Sequence, residues 1–207
     1  MSPGATMERV YFELKAKVMR GAFAPGERLD PAQLARNFGV SPTPVRDALH
    51  RLSGERLIET WHQEGFRQPI LAEADLHDLY VWTGWLLTLA LDGKLPEPGI
   101  PGGPFGESVP GTYREEVAFL FRAIAWMSEN RELRQAVANL VDRSEVFRLA
   151  EARVDRQCRD ALKAMDADFR YGRWSALRSK ITRFHRRRTW HAGRVVAELR
   201  PREQPLG

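Results

Sequence analysis

Leu34-Ala-Arg-Asn-Phe-Gly-Val-Ser-Pro-Thr-Pro-Val-Arg-Asp-Ala-Leu-His-Arg-Leu52 is the stretch that decides the fold of this chain. Its first half ends a helix. Leu34 and Phe38 stand four residues apart and so share a buried side, and Gly39 supplies the left-handed residue that closes helices. Its second half begins another. After the four residues Gly39 to Pro42, Thr43 reads as a helix cap and Pro44 as the first helical residue, where a missing N–H costs nothing. Val45, Ala48, Leu49 and Leu52 then fall at i, i+3, i+4 and i+7, which turns them inward and leaves Arg46, His50 and Arg51 outward.

The flanks complete the pattern. Asp30 caps the helix before Gly39, with Pro31 at its first position and Gln33 at capping-box spacing. Upstream, Val10, Leu14 and Val18 recur every four residues and Gly21 stops that helix. Ala24-Pro25-Gly26-Glu27 is a turn, and Arg28-Leu29 is at most a strand stub. Downstream, Leu57-Ile58-Glu59-Thr60-Trp61 and Phe66-Arg67-Gln68 flank a His-Gln-Glu-Gly turn, a hairpin signal. The fold class expected is mainly α: residues 1–70 form a winged helix-turn-helix of three helices and a β-hairpin, and residues 71–207 an all-α bundle. In the second region, helical periodicity covers 74–91, 113–128, 130–148, 151–169 and 174–199. Between them, residues 93–112 hold five Pro and six Gly, which makes a loop.

Composition bounds the function. The chain has 207 residues, 43% of them apolar, enough for a real core. It has no apolar run of the roughly 18 residues that a membrane helix needs. Its first residues lack a secretory pattern, and the single cysteine, Cys158, makes no internal disulfide. A cytoplasmic protein is expected, with no membrane partner. Enzyme chemistry is not expected: there is no phosphate loop, no nucleophile elbow and no His/Cys metal spacing. The net charge is +5, unevenly spread. Residues 1–70 hold 10 basic and 8 acidic residues, 71–130 hold 3 and 9, and 131–207 hold 19 and 10. The excess lies in Arg170, Arg173, Arg178, Lys180, Arg183, Arg186, Arg187, Arg188 and Arg194, a stretch without acids that reads as a solvated helix face. Trp190, Val195, Val196 and Leu199 mark where that helix packs.

The Leu34–Leu52 segment, with Gly21-Ala-Phe-Ala-Pro-Gly-Glu-Arg-Leu29 before it and Leu57-Ile58 and Gly65 after it, resembles the GntR family of bacterial transcription regulators. The resemblance implies a DNA-binding domain over about residues 8–70. A recognition helix of this kind offers its N-terminal residues to the major groove. Here the candidates are Ser41, Thr43 and Arg46, with His50 and Arg51 one turn on. In the wing they are Gln63, Gly65 and Arg67. Arg46 suits bidentate contact with a guanine or a phosphate. Pro42 stands where the family usually has Arg, and Glu64 where it commonly has a base, which puts individual contacts in question.

Residues 75–87, 121–130 and 162–184 resemble the helical effector domain of the FadR branch of that family. The branch commonly holds a divalent metal through an Asp and three His, and the metal helps bind a small carboxylate. Position by position those ligands fall on Val117, Phe121, Leu162 and Phe184, none of which carries a donor. An Arg and an acid of the branch's carboxylate site fall on Thr83 and Leu87. No metal and no other cofactor is therefore expected. Two readings remain: a solid core in a dimerisation domain, or a cavity for a small apolar or aromatic effector lined by Trp82, Trp85, Val117, Phe121, Leu162 and Phe184. The function expected is a homodimeric transcription regulator on a pseudo-palindromic operator in double-stranded DNA. The alternative is an interaction protein whose winged helix docks a protein partner.

Overall fold

A computed structural model of the chain describes residues 3–61, 65–93 and 111–199. The chain divides into two compact units, Met1–Leu71 and Ala72–Gly207.

The first unit opens with α1 (Pro3–Met19), whose Val10, Leu14 and Val18 are buried. Gly21, at φ 73°, turns the chain away. Strand β1 (Arg28–Leu29) leads into α2 (Pro31–Phe38), where Asp30 accepts a hydrogen bond from the Ala32 N–H at 2.8 Å. Leu34 and Ala35 are the buried residues of α2, and Phe38 packs only partly. Gly39 closes the helix in the left-handed conformation, φ 64°.

Helix α3 (Pro42–Gly54) begins two residues before its expected start. Ser41 holds the N-cap position, so Thr43 is helical and caps nothing. Both prolines lie within the first turn, where backbone N–H groups have no intrahelical acceptor in any case, so the chemistry that marked Pro44 applies equally to Pro42. Val45, Ala48, Leu49 and Leu52 are fully buried. Strands β2 (Glu59–Trp61) and β3 (Gly65–Arg67) form the hairpin. The sheet order is β1-β3-β2, antiparallel throughout, with Arg28 opposite Arg67 and Thr60 opposite Phe66. Leu29, Leu57, Ile58 and Phe66 join the helices in one apolar core.

The second unit is all helical among its described residues: α4 (Glu73–Leu89), α5 (Tyr113–Trp126), α6 (Arg131–Arg143), α7 (Arg148–Val154), α8 (Cys158–Arg170) and α9 (Trp174–Leu199). Thr112 and Glu115 form a capping box at α5, and Asn130 caps α6 through the Leu133 N–H. The two segments expected at 130–148 and 151–169 are redistributed into three. Ser144 ends α6, a single 3₁₀ turn spans Glu145–Phe147, and α7 then starts at Arg148. The break places Arg148, which is fully buried, where it donates to the Val141 carbonyl at 2.6 Å and to Ser144 Oγ at 3.2 Å. Most of residues 93–112 lie outside the described residues.

The basic stretch is less solvated than its sequence suggests. Arg188 is buried, donating to Glu151 Oε1 at 2.6 Å, and the same carboxylate accepts from Tyr80 and Tyr113. Burial alone would raise the Glu151 pKa, but Arg188, reinforced by the Tyr80 hydrogen bond and Arg148, holds that carboxyl below its usual range. Arg173 and Lys180 share Asp168, Arg187 meets Asp155, Arg178 meets Asp92, and Arg170 meets Asp166. Trp190 does not pack inward; it is exposed, whereas Val195 and Val196 are buried.

Candidate nucleic-acid interface

The exposed side of α3 and the hairpin beside it carry most of the residues singled out for DNA. Ser41, Thr43 and Arg46 are exposed on the first turn and a half of the helix. The Ser41 side chain makes no capping bond, so its hydroxyl is available. The N-terminal end of a helix adds a partial positive charge that favours phosphate, although Pro42 and Pro44 have no N–H to offer there. Among the described residues Arg46 has no ion-pair partner, a necessary state for a guanidinium that is to meet an external acceptor.

His50 and Arg51 separate on inspection. His50 is exposed, and its ring stands edge-on to Phe66 with centroids 4.9 Å apart, so it bridges α3 to the hairpin. Arg51 turns the other way. Its guanidinium lies 3.7 Å from the Tyr11 ring centroid, pairs with Glu8 at 3.1 Å and stands 3.6 Å from Glu55. Tyr11 and Lys15 also bind Glu55, at 2.6 and 2.8 Å. These contacts brace α1 against α3, and they occupy the charge that sequence reasoning left open for DNA.

In the wing, Gly65 adopts φ 93°, a conformation that side chains rarely tolerate. Arg67 is held across the hairpin by Glu59, with Nε at 2.9 Å and Nη2 at 2.8 Å, and lies flat on Trp61 at 3.7 Å. Its charge is partly compensated within the sheet. Gln63 and Glu64 lie outside the described residues. A groove of about 550 Å³ runs between α3 and the hairpin, lined by Arg28, Asp30, Arg46, His50, Thr60 and Trp61 among others. Arg28 was not singled out from sequence. It is exposed at the groove because β1 pairs with β3, a non-local contact that the two-residue stub does not announce.

The residues considered for an effector pocket do not gather around one space. Val117, Phe121, Leu162 and Phe184 belong to a single buried cluster, in which the Phe121 and Phe184 rings meet edge to face at 6.1 Å. Trp82 and Trp85 are exposed on the outer side of α4 and contact each other at 6.2 Å. Four side chains of hydrocarbon and phenyl at the positions of the branch's ligands do not fit a metal ion. Among the described residues no group of three His, Cys, Asp or Glu gathers elsewhere to hold one. No described helix is long and apolar enough to cross a membrane.

The family profile described as bacterial regulatory proteins, gntR family, matches residues 6–67. The chain is 37% identical over 70 residues to the HTH-type transcriptional regulator YdhC of Bacillus subtilis, covering 34% of this chain and 31% of that protein. It is 34% identical over 70 residues to the HTH-type transcriptional repressor GlaR of Escherichia coli, covering 34% and 32%. It thus spans about a third of the length of these curated relatives. Among solved structures, a GntR transcriptional regulator from Rhodococcus sp. RHA1 superposes with a TM-score of 0.72 at 14% identity, covering 91% of this chain and 97% of that one. McbR/YncC of E. coli does so with a TM-score of 0.63 at 18% identity, covering 91% and 97%. At these identities the likeness is one of fold: a winged helix followed by a helical domain.

Proposed function

We propose that this chain, whose N-terminal domain belongs to the gntR family of bacterial regulatory proteins, is a homodimeric, sequence-specific DNA-binding transcription regulator. The observation that carries this reading is Arg46, exposed on the first turns of α3 with no ion-pair partner among the described residues. Ser41 and Thr43 beside it are placed for phosphate, His50 for the groove edge, and Gly65 for close backbone approach. Gln63 is kept as a wing contact from its place in the sequence. Arg67 is a weaker contact, since Glu59 offsets its charge, and Arg28 is added to the surface. Arg51 is assigned to the α1–α3 brace.

Fluorescence anisotropy with the chain's own upstream DNA tests this. Arg46→Ala should weaken specific binding by about 1–3 kcal/mol, roughly 5- to 150-fold, with stability unchanged. Arg51→Ala should instead cost about 1 kcal/mol of stability, discounted for solvent screening of its pairs, and leave specificity intact. If binding is absent, or Arg46→Ala leaves it unchanged, the winged helix serves another partner.

For the second unit, the reading supported by the buried Phe121–Phe184 cluster is a solid core that works in dimerisation without a metal. Metal analysis of protein purified without chelator or affinity-column metal should find no stoichiometric Zn, Ni or Mn. A full equivalent would overturn the metal-free reading.

A further inference from the structure

One carboxylate in the second unit ties four helices together. Glu151, on α7, is only 4% exposed. Its Oε1 accepts from Arg188 Nη2 of α9 and from Tyr80 Oη of α4, each at 2.6 Å, and its Oε2 accepts from Tyr113 Oη of α5 at 3.0 Å. All three donors are buried, and they lie 37, 71 and 38 residues away in sequence. A guanidinium and two phenols aimed at one carboxylate make charge-assisted hydrogen bonds, and exclusion of water strengthens each of them.

Two features set this arrangement apart from an ordinary buried ion pair. The first is a surplus of donors. Arg188 Nε is buried with no acceptor among the described residues, and Arg148, one turn before Glu151, adds a second buried guanidinium whose charge also acts on this carboxyl. An excess of buried positive groups around one point is the composition of an anion site. The second feature is where the parts are carried. The donors belong to α4, α5 and α9, of 17, 14 and 26 residues, whereas α7 has seven and follows directly on the 3₁₀ turn Glu145–Phe147. Long helices supply the receptor, and a short piece of chain delivers the carboxylate.

The cation has a cage of its own. Arg188 Cζ lies 4.0 Å from the Tyr80 ring centroid, 5.6 Å from that of Phe184 and 5.7 Å from that of Phe121. Aromatic faces within about 6 Å attract a desolvated cation. Phe121 and Phe184 are two of the side chains that do not fit a metal ion, and the cation they do approach in this chain is a guanidinium.

We propose that Arg188, Tyr80 and Tyr113 form a receptor for a carboxylate, and that Glu151 is its resident ligand, supplied by the chain itself. The unit thus carries both a cation and an anion of its own at one buried point. They fasten α4, α5, α7 and α9 to one another without an external ligand. On the regulator reading, control of the protein does not pass through a free carboxylate at this point, but the receptor itself does not depend on that reading.

Thermal unfolding of the full chain, in sodium formate and in sodium chloride of equal concentration, tests this whether or not the chain binds DNA. Glu151→Ala leaves Arg188 buried without its carboxylate and opens the space that the carboxyl group filled. In chloride the transition of the second unit should fall by about 10 °C or more, and about 0.1 M formate should return roughly 3–6 °C of that loss. If this variant is unfolded in chloride, it should regain its helical circular dichroism in formate. The wild type should respond alike to both salts, because Glu151 occupies the receptor. Glu151→Gln, which keeps the space filled with a neutral amide, should be destabilised and gain nothing from formate over chloride. Glu151→Ala combined with Arg188→Leu removes the charge that a carboxylate meets and should be equally blind to formate. Restoration of Glu151→Ala by chloride as well as by formate, or by neither, would overturn the receptor. A formate-specific gain in the wild type would overturn the residency of Glu151, and one that persists in the double variant would overturn the role of Arg188.

Discussion

His185 is one residue past a position where the helical branch carries a metal ligand, and its surroundings rule it out of polar work. It is buried against Gly84, with the Phe121 ring centroid 5.3 Å away. Burial first, and the Arg188 charge second, push its pKa well below the ordinary histidine value, with the Tyr80 backbone offsetting a little. The consequence for stability has a definite sign. Below about pH 6.5 the unfolded chain protonates this ring while the folded chain keeps it neutral, so unfolding takes up a proton. Stability that is complete above that pH should fall by about 1.4 kcal/mol per pH unit as the solution is acidified towards the depressed folded value. Urea unfolding of wild type and His185→Leu between about pH 5 and pH 7.5 isolates this contribution. The wild type should lose stability relative to the variant on acidification, and an unchanged difference would show that His185 does not titrate this way. The Glu151 and Asp168 carboxyls, both held below their usual range, titrate at lower pH and leave this window clear.

Helix α3 ends in a way that exposes a local conflict. The Leu57 N–H bonds the Leu52 carbonyl at 3.0 Å and the Arg56 N–H bonds the Ser53 carbonyl at 2.9 Å, the two bonds of a Schellman motif, with Leu52 and Leu57 both buried. The left-handed position of that motif normally belongs to glycine, yet here it is Arg56, at φ 57°. A side chain in this conformation costs about 1–2 kcal/mol, part of which the stiffer unfolded chain returns. Arg56→Gly should therefore stabilise the first unit by about 0.5–1 kcal/mol in chemical denaturation, and a loss of stability would mean that the arginine makes a contact worth more than its strain. Elements with such local signals were legible from sequence: the capped α2 between Asp30 and Gly39, the inward row of α3, and the Asn130 cap. What escaped was decided by contacts distant in sequence. The start of α3 was ambiguous because Pro42 and Pro44 satisfy the same rule. The split of 130–148 depends on Arg148 reaching the Val141 carbonyl inside the bundle. In the candidate site, Arg46 and Arg51 look alike as outward arginines, and only the α1–α3 packing shows that Glu8 and Tyr11 claim the second. The acid-free run of arginines likewise finds its carboxylates on α7, α8 and the turns flanking α4 and α8.

Among the described residues the two hydrophobic core clusters share no member, one lying within Met1–Leu71 and the other within Ala72–Gly207. Charge is divided between the units in the opposite sense to function. The first holds the proposed DNA surface on 10 basic and 8 acidic residues within 1–70, while much of the larger basic excess at the other end is tied into internal pairs. Recognition on this reading depends on a few placed groups and on two copies acting together, rather than on a strong overall field. Two separate cores also mean that the two activities should fail separately. Leu49 is completely buried at the centre of the first cluster, so Leu49→Ala should cost about 2–5 kcal/mol there. A unit of that size has only about 3–10 kcal/mol to lose. Thermal unfolding of the full-length variant should then resolve two transitions, with the first unit melting at least about 10 °C earlier than in the wild type. At a temperature between the transitions, sedimentation should still find the dimer while anisotropy finds no specific DNA binding. Simultaneous loss of both would show that the first unit takes part in holding the copies together.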